Sequence, residues 1–255
     1  MTTKLHDGAE TGCLVYAVVR PEEREALPPA GVDDAPLRLV VHGTVAAVVN
    51  EIAVQRPPGR RADLMAYSRV LDGLLPDGVV VPVQFGSVVP DDSAVVEELL
   101  APNEDYFAEL FEQLAGRSQL NVRATYRDGS ALAEIVAGDT EIAELQARTK
   151  DLPEDAALTD RVRLGQLVAD ALDVVRDRDS AMLWDAIIPM TVGQRLVPGT
   201  GTDAVCDLIV LVDDGRVTEV EERLEELAEA VHPRMRLRLV GPVPPYDFIG
   251  EVSWA

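Results

Sequence analysis

Leu120-Asn121-Val122-Arg123-Ala124-Thr125-Tyr126-Arg127 alternates apolar and polar residues without a break. That is the pattern of a half-buried strand with one wet face. The elements after this strand decide the fold. Helical periodicity occupies about 131–149 and 155–184, and strand-like runs cover Ile187 to Val197 and Ala204 to Val212. Pro198-Gly199-Thr200-Gly201-Thr202 supplies the turn of a hairpin between those two runs. Thr218 with Glu221 reads as a capping box opening a further helix, and Met235, Leu237 and Leu239 alternate with Arg234, Arg236 and Arg238 in a last strand. Strand, helices, strand, strand, helix, strand is the βαββαβ order of a ferredoxin-like sandwich, here with an enlarged helical first crossover. In the longer crossover helix, Leu158, Val162, Val168, Leu172 and Val175 share one face, widened by Leu164, Leu167, Ala171 and Val174, so the helix is expected to be largely core.

Upstream, a second set of elements predicts a separate α+β domain, so the fold class is α+β with two domains, 1–117 and 118–255, the latter carrying a proline-rich tail. Cys13 to Val19 is an uninterrupted apolar run of strand length, and Pro21 to Leu27 comes next as a short helix. Leu37 to Val41 and Val45 to Ile52 read as a hairpin. Leu64, Tyr67, Leu71 and Leu74 mark an amphipathic helix over 62–75. Val79 to Phe85 is strand-like despite Pro82, which must then face an unpaired edge or a bulge. Asp91, Asp92 or Ser93 can cap a helix containing Val95, Val96, Leu99 and Leu100, and a second segment carries Phe107, Leu110, Phe111 and Leu114.

The chain has 255 residues with 23 Lys plus Arg against 45 Asp plus Glu, a formal net charge of −22, while 47% of residues are apolar. The apolar share argues for a globular fold. The charge argues against nucleic acid and anionic membrane as partners, because phosphates would be repelled. No stretch approaches the ~18 apolar residues of a membrane helix, and the first residues have no apolar targeting core, so a cytoplasmic location is expected.

Catalytic chemistry is thinly represented. The chain contains His6, His42 and His232 alone of that type, none in a metal-binding spacing, and Cys13 and Cys206 lie far apart in apolar runs. Gly199-Thr200-Gly201 lacks the lysine and the strand-to-helix setting of a phosphate loop. No catalytic residue, metal or cofactor is therefore assigned. Asp91 to Gly116 holds eight acidic residues and no basic one, which is either a solvated surface or a docking face for a basic partner. The arginines of the last strand are expected to balance acidic helices of their own domain.

Two segments stand apart. Val81 to Ser87 reads VPVQFGS, with a proline and an aromatic inside a strand, and Gly241 to Phe248 reads GPVPPYDF, a rigid extended tail with two aromatics. Such a tail loses little entropy on docking, to its own chain or to a partner. In this order and at this separation, the pair resembles the signatures of the gas vesicle GvpF/GvpL family, whose members carry LPVRFGT-type and GPWPPYSF-type segments. The similarity extends to Val15-Tyr16-Ala17-Val18-Val19 and to the helix before the first motif. Gln84 stands where the family usually has arginine, Val243 where it has tryptophan, and Ala17 where glycine is common. The resemblance implies a non-enzymatic accessory protein for gas vesicle assembly, located in the cytoplasm and at the gas vesicle. It would bind the very hydrophobic shell protein and other accessory gas vesicle proteins. Pro82, Phe85, Tyr246 and Phe248 are the residues expected to anchor a partner or to pin one domain to another. The different-class reading is a ferredoxin-like module that binds a small regulatory ligand.

Overall fold

Strand β1, Thr11–Val19, is buried along all but its first residue. The computed structural model describes residues 11–153 and 157–250, and His6 lies outside them. β1 is buried because it is the centre of a sheet covered on both sides, the setting that a continuous apolar run fits. It pairs with β3, Val45–Ala53, which forms a hairpin with β2, Arg38–His42. Along the other edge of β1 run the short strands β4, Val81–Pro82, and β5, Val88–Val89. All these pairings are antiparallel.

Helix α1, Arg61–Leu74, lays Ala66, Tyr67, Val70, Leu71 and Leu74 on Leu14, Tyr16, Ala17 and Val19. Leu64, expected on that face, is 50% exposed; the buried stripe is carried by residues 67, 70, 71 and 74. The opposite face is closed by the helical stretch from α2, Asp92–Ala94, through the π-turn Val95–Leu100 to α3, Glu104–Leu114. Asp91 caps this stretch, its side chain accepting from the Ala94 N–H at 3.0 Å. The short helix expected over 21–27 is only a 3-10 turn, Pro21–Glu23.

The second sheet has the order β7-β8-β6-β9, formed by β6, Arg117–Tyr126, β7, Gly193–Pro198, β8, Ala204–Asp213, and β9, Met235–Val243. Three helices connect β6 to β7. The stretch read as one helix over 131–149 is two, α4, Ser130–Gly138, and α5, Thr140–Thr149, because the Asp139 carboxylate caps the Ile142 N–H and restarts the helix. The third is α6, Leu158–Ile187, which with the 3-10 turn Ile188–Met190 takes up residues expected to begin a strand. The expected face is core only in part: Leu158 and Val162 in its first turns are exposed, as is Val174 further along, whereas Leu164, Leu167, Val168, Ala171 and Val175 are half-buried against the core and Leu172, Leu183 and Ile187 are buried. Helix α7, Val217–Val231, returns to β9. The expected Thr218 cap is absent; the helix grows out of the 3-10 turn Asp214–Arg216, and Arg216 pairs with Glu219.

Contacts divide the chain after Ser118 and again after Gly241, with the segments before and after forming one unit and Gln119–Gly241 the other. The tail, assigned by sequence to the second half, thus groups with the first.

Candidate functional site

The VPVQFGS segment does not run as one strand. The Val83 N–H donates to the Tyr16 carbonyl at 2.9 Å, and the Val15 N–H donates to the Ser87 carbonyl at 2.9 Å, so β1 holds the segment on both sides of an interruption. Between them, Gln84 to Ser87 make a turn closed by Ser87 N–H to Gln84 carbonyl at 3.1 Å. Gly86, third in the turn, sits at φ +92°, a conformation that disfavours any side chain. Pro82 is buried in β4 with β1 on one side, so its missing N–H costs no ladder bond.

Phe85, half-buried at the turn, meets the Tyr67 ring edge-on, with centroids 5.2 Å apart and planes at 69°. Tyr67 also stacks on Tyr16 at 5.4 Å. The Tyr67 hydroxyl donates to the Val83 carbonyl and lies 3.1 Å from that of Tyr16, so α1, β1 and the motif are tied at one phenol. Burial, and then the nearby Tyr246, push the Tyr67 hydroxyl well above the ordinary tyrosine range. Beneath it, the Tyr16 hydroxyl donates to Asn50 Oδ1 at 2.6 Å and accepts from the Val32 N–H at 2.7 Å, while Asn50 Nδ2 donates to the Val32 carbonyl at 3.1 Å. Burial raises the Tyr16 pKa to about 12.

The tail reaches the same helix. Gly241, at φ +151°, is placed where a Cβ would stand 2.9 Å from the Gln119 carbonyl, and Pro244 and Pro245 are buried. In the 3-10 turn Tyr246–Phe248, Phe248 is half-buried and Tyr246 is 48% exposed. The Tyr246 hydroxyl end is desolvated and faces Asp72 of α1, which together raise its pKa to about 12. Of the four residues singled out from sequence, Phe85 and Tyr246 therefore converge on α1, Pro82 braces the strand beside them, and Phe248 follows Tyr246 in its turn. Sequence reasoning took Tyr67 as one core residue among several and passed over Tyr16 and Asn50. The available signal was polar: a tyrosine and an asparagine inside apolar strands need buried partners.

Elsewhere the residues offer little reactive chemistry. Cys13 and Cys206 are buried, and burial pushes both thiols up, away from the thiolate a nucleophile needs. His42 Nε2 lies 3.6 Å from Glu104, and His232 ends α7. Among the described residues, no three His, Cys, Asp or Glu side chains are grouped to hold a metal ion. No helix among them is long and apolar enough to cross a membrane.

The chain is 28% identical to gas vesicle protein F of Streptomyces sp. (strain CB03234), across 92% of this chain and 98% of that one. It is 27% identical to gas vesicle protein L of the same organism, across 92% of each. Its fold is similar to the crystal structures of GvpF from Anabaena sp. PCC7120, TM-score 0.79 at 19% identity, and from Microcystis aeruginosa, TM-score 0.77 at 17% identity. Each structural match covers 94% of this chain and 99% of the other. The model of the gas vesicle synthesis protein GvpL/GvpF family matches residues 12–250, and the chain belongs to that family.

Proposed function

We propose that this chain is a non-enzymatic accessory protein of gas vesicle assembly, acting in the cytoplasm by binding the hydrophobic shell protein and other accessory gas vesicle proteins. The observation that carries the reading is the approach of the two motif segments to α1, with an exposed turn tip at Gln84 and Gly86 beside half-buried Phe85 and the hydroxyl of half-exposed Tyr246 near Asp72 of the same helix. A small apolar contact on a chain of net charge −22 suits a companion to an aggregation-prone partner, because the charge keeps the complex dispersed. Residues 119–241 are read as a ferredoxin-like domain, supported by the order β7-β8-β6-β9 with helices in both crossovers. The first domain then comprises the chain up to about residue 117 together with the tail.

The test is capture of freshly expressed shell protein by the purified chain at low and high salt, beside Phe85→Ala and Tyr246→Ala variants with wild-type circular dichroism. Salt-resistant capture that both variants weaken is expected. Capture abolished by salt and untouched by the variants would move the contact to the acidic helices. A second reading, a small-ligand regulatory module, is favoured by a cleft of about 350 Å³ between α6 and β7, lined by Ser180, Trp184, Leu196 and Pro198. It expects a metabolite that raises the melting temperature, lost in Trp184→Ala.

A further inference from the structure

In the second sheet, Leu120 and Val122 of β6, Leu208 and Val210 of β8, and Leu237 and Leu239 of β9 all face the helices. Alternation puts Arg123, Asp207, Ile209, Arg236 and Arg238 on the opposite face. Arg195 of β7 stands opposite Ile209 in the register and so joins them. Four arginines thus span four strands, about 15 Å at the usual strand spacing. Among the described strand residues, alternation puts two acidic groups on this face, Asp207 and Asp213 at the end of β8, in a chain of net charge −22. Arg234 does balance acidic helices, binding Glu134 and Asp179. Arg123 is taken by Asp207 in a two-point pair. Arg236 and Arg238 are exposed and have no ion-pair or hydrogen-bond partner among the described residues.

The complementary surface is in the same chain. Asp105, Glu109 and Glu112 of α3 form one exposed stripe, and Asp105 and Glu109 likewise have no partner among the described residues. Two residues four apart on a helix present their Cβ atoms about 6 Å apart. Two residues two apart on a strand are about 6.7 Å apart, so each carboxylate can meet one guanidinium. We propose that the arginine face of one copy docks the α3 carboxylate stripe of a second copy, in a head-to-tail contact independent of the shell-binding reading. The two patches differ, so the contact is heterologous and can propagate into a row or ring of copies. At ~0.15 M salt the long-range repulsion between acidic chains is screened beyond about 8 Å, while contacts at ion-pair distance persist.

Sedimentation equilibrium of the full chain, at that salt and from micromolar to millimolar concentration, reads this directly. Expected is an average mass rising above 27.6 kDa with concentration and falling back to it at ~1 M salt. Arg236→Glu with Arg238→Glu, or Asp105→Lys with Glu109→Lys, should each hold the chain at the monomer mass, and an equimolar mixture of the two variants should restore association. The neutral pair Arg236→Gln with Arg238→Gln, checked by melting, separates loss of contact from loss of fold. A wild type that stays monomeric, reversals without effect, or a mixture that fails to associate would each overturn the proposal.

Discussion

The two sheets differ in how many faces are covered and in what locks them. The first is closed on both sides, and its buried polar group is the neutral Tyr16–Asn50–Val32 triangle. The second is covered on one side, and its lock is ionic: Asp179, 3% exposed, accepts from the Tyr126 hydroxyl at 2.8 Å and pairs with Arg234 and Arg178. Arg234 also reaches Glu134 at 2.7 Å and lies over the Tyr126 ring. A neutral lock suits a strand with no water on either side, because an unpaired charge there would be costly. An ionic lock suits the edge of a half-open sheet, where one partner keeps access to solvent.

The sharpest way to break the contrast is Asp179→Ala, which leaves Arg234 and Tyr126 without their shared acceptor. A loss of about 3 kcal/mol is expected, at the lower end for a broken buried pair because Arg234 keeps some exposure. A melt unchanged by the substitution would remove the ionic lock. Tyr16→Phe should cost about 1–3 kcal/mol, since it strands Asn50 and the Val32 N–H in the core. That cost should be constant from pH 4 to 8, because Tyr16, with its pKa raised to about 12, stays neutral throughout. Its stabilising share is complete below the unfolded value of ~10 and is lost only as pH rises toward 12.

Glu134→Gln sharpens the comparison from the other side. Burial pushes Glu134 up, but its bonds to Arg234 and Arg178 outweigh that and hold it below the usual carboxylate range. A depressed carboxylate stabilises fully above its unfolded value of ~4.3 and loses that share as pH falls through the lower folded value. The gap between wild type and Glu134→Gln in urea titrations should therefore be widest near neutrality and close on acidification. A gap that ignores pH would contradict it. The smallest effect belongs to Arg123→Ala: an exposed pair with Asp207 is solvent-screened, so the melting temperature should barely move, and less still in high salt.

The legibility of each feature in the sequence depends on how local its signal is. The uninterrupted run Cys13 to Val19 and the alternation Leu120 to Tyr126 announced one strand buried on both faces and one on a single face, and both are so. The long helix was legible as a helix and in the packing of Leu164 to Leu172 on the core, but not in the exposure of its first turns. Thirty residues span about 45 Å, more than a ten-residue strand of about 34 Å, so its first turns extend past the sheet and leave Leu158 and Val162 in solvent. At the candidate site, Phe85 and Tyr246 were picked out by composition. Their shared anchor, Tyr67, was not, because joining residues 161 apart depends on the tail folding back on α1, which no local pattern encodes.

The proposed function requires that gas vesicles fail to form without this chain and that it work through the aromatic edge at Phe85 and Tyr246. The direct measurement is buoyancy and vesicle yield in cells expressing a gas vesicle gene set with this chain deleted, then resupplied as wild type, as Phe85→Ala, or as Tyr246→Ala, with soluble levels matched. Loss of flotation on deletion, full rescue by wild type and poor rescue by either variant is the expected result. Normal vesicles without the chain, or full rescue by both variants, would contradict it.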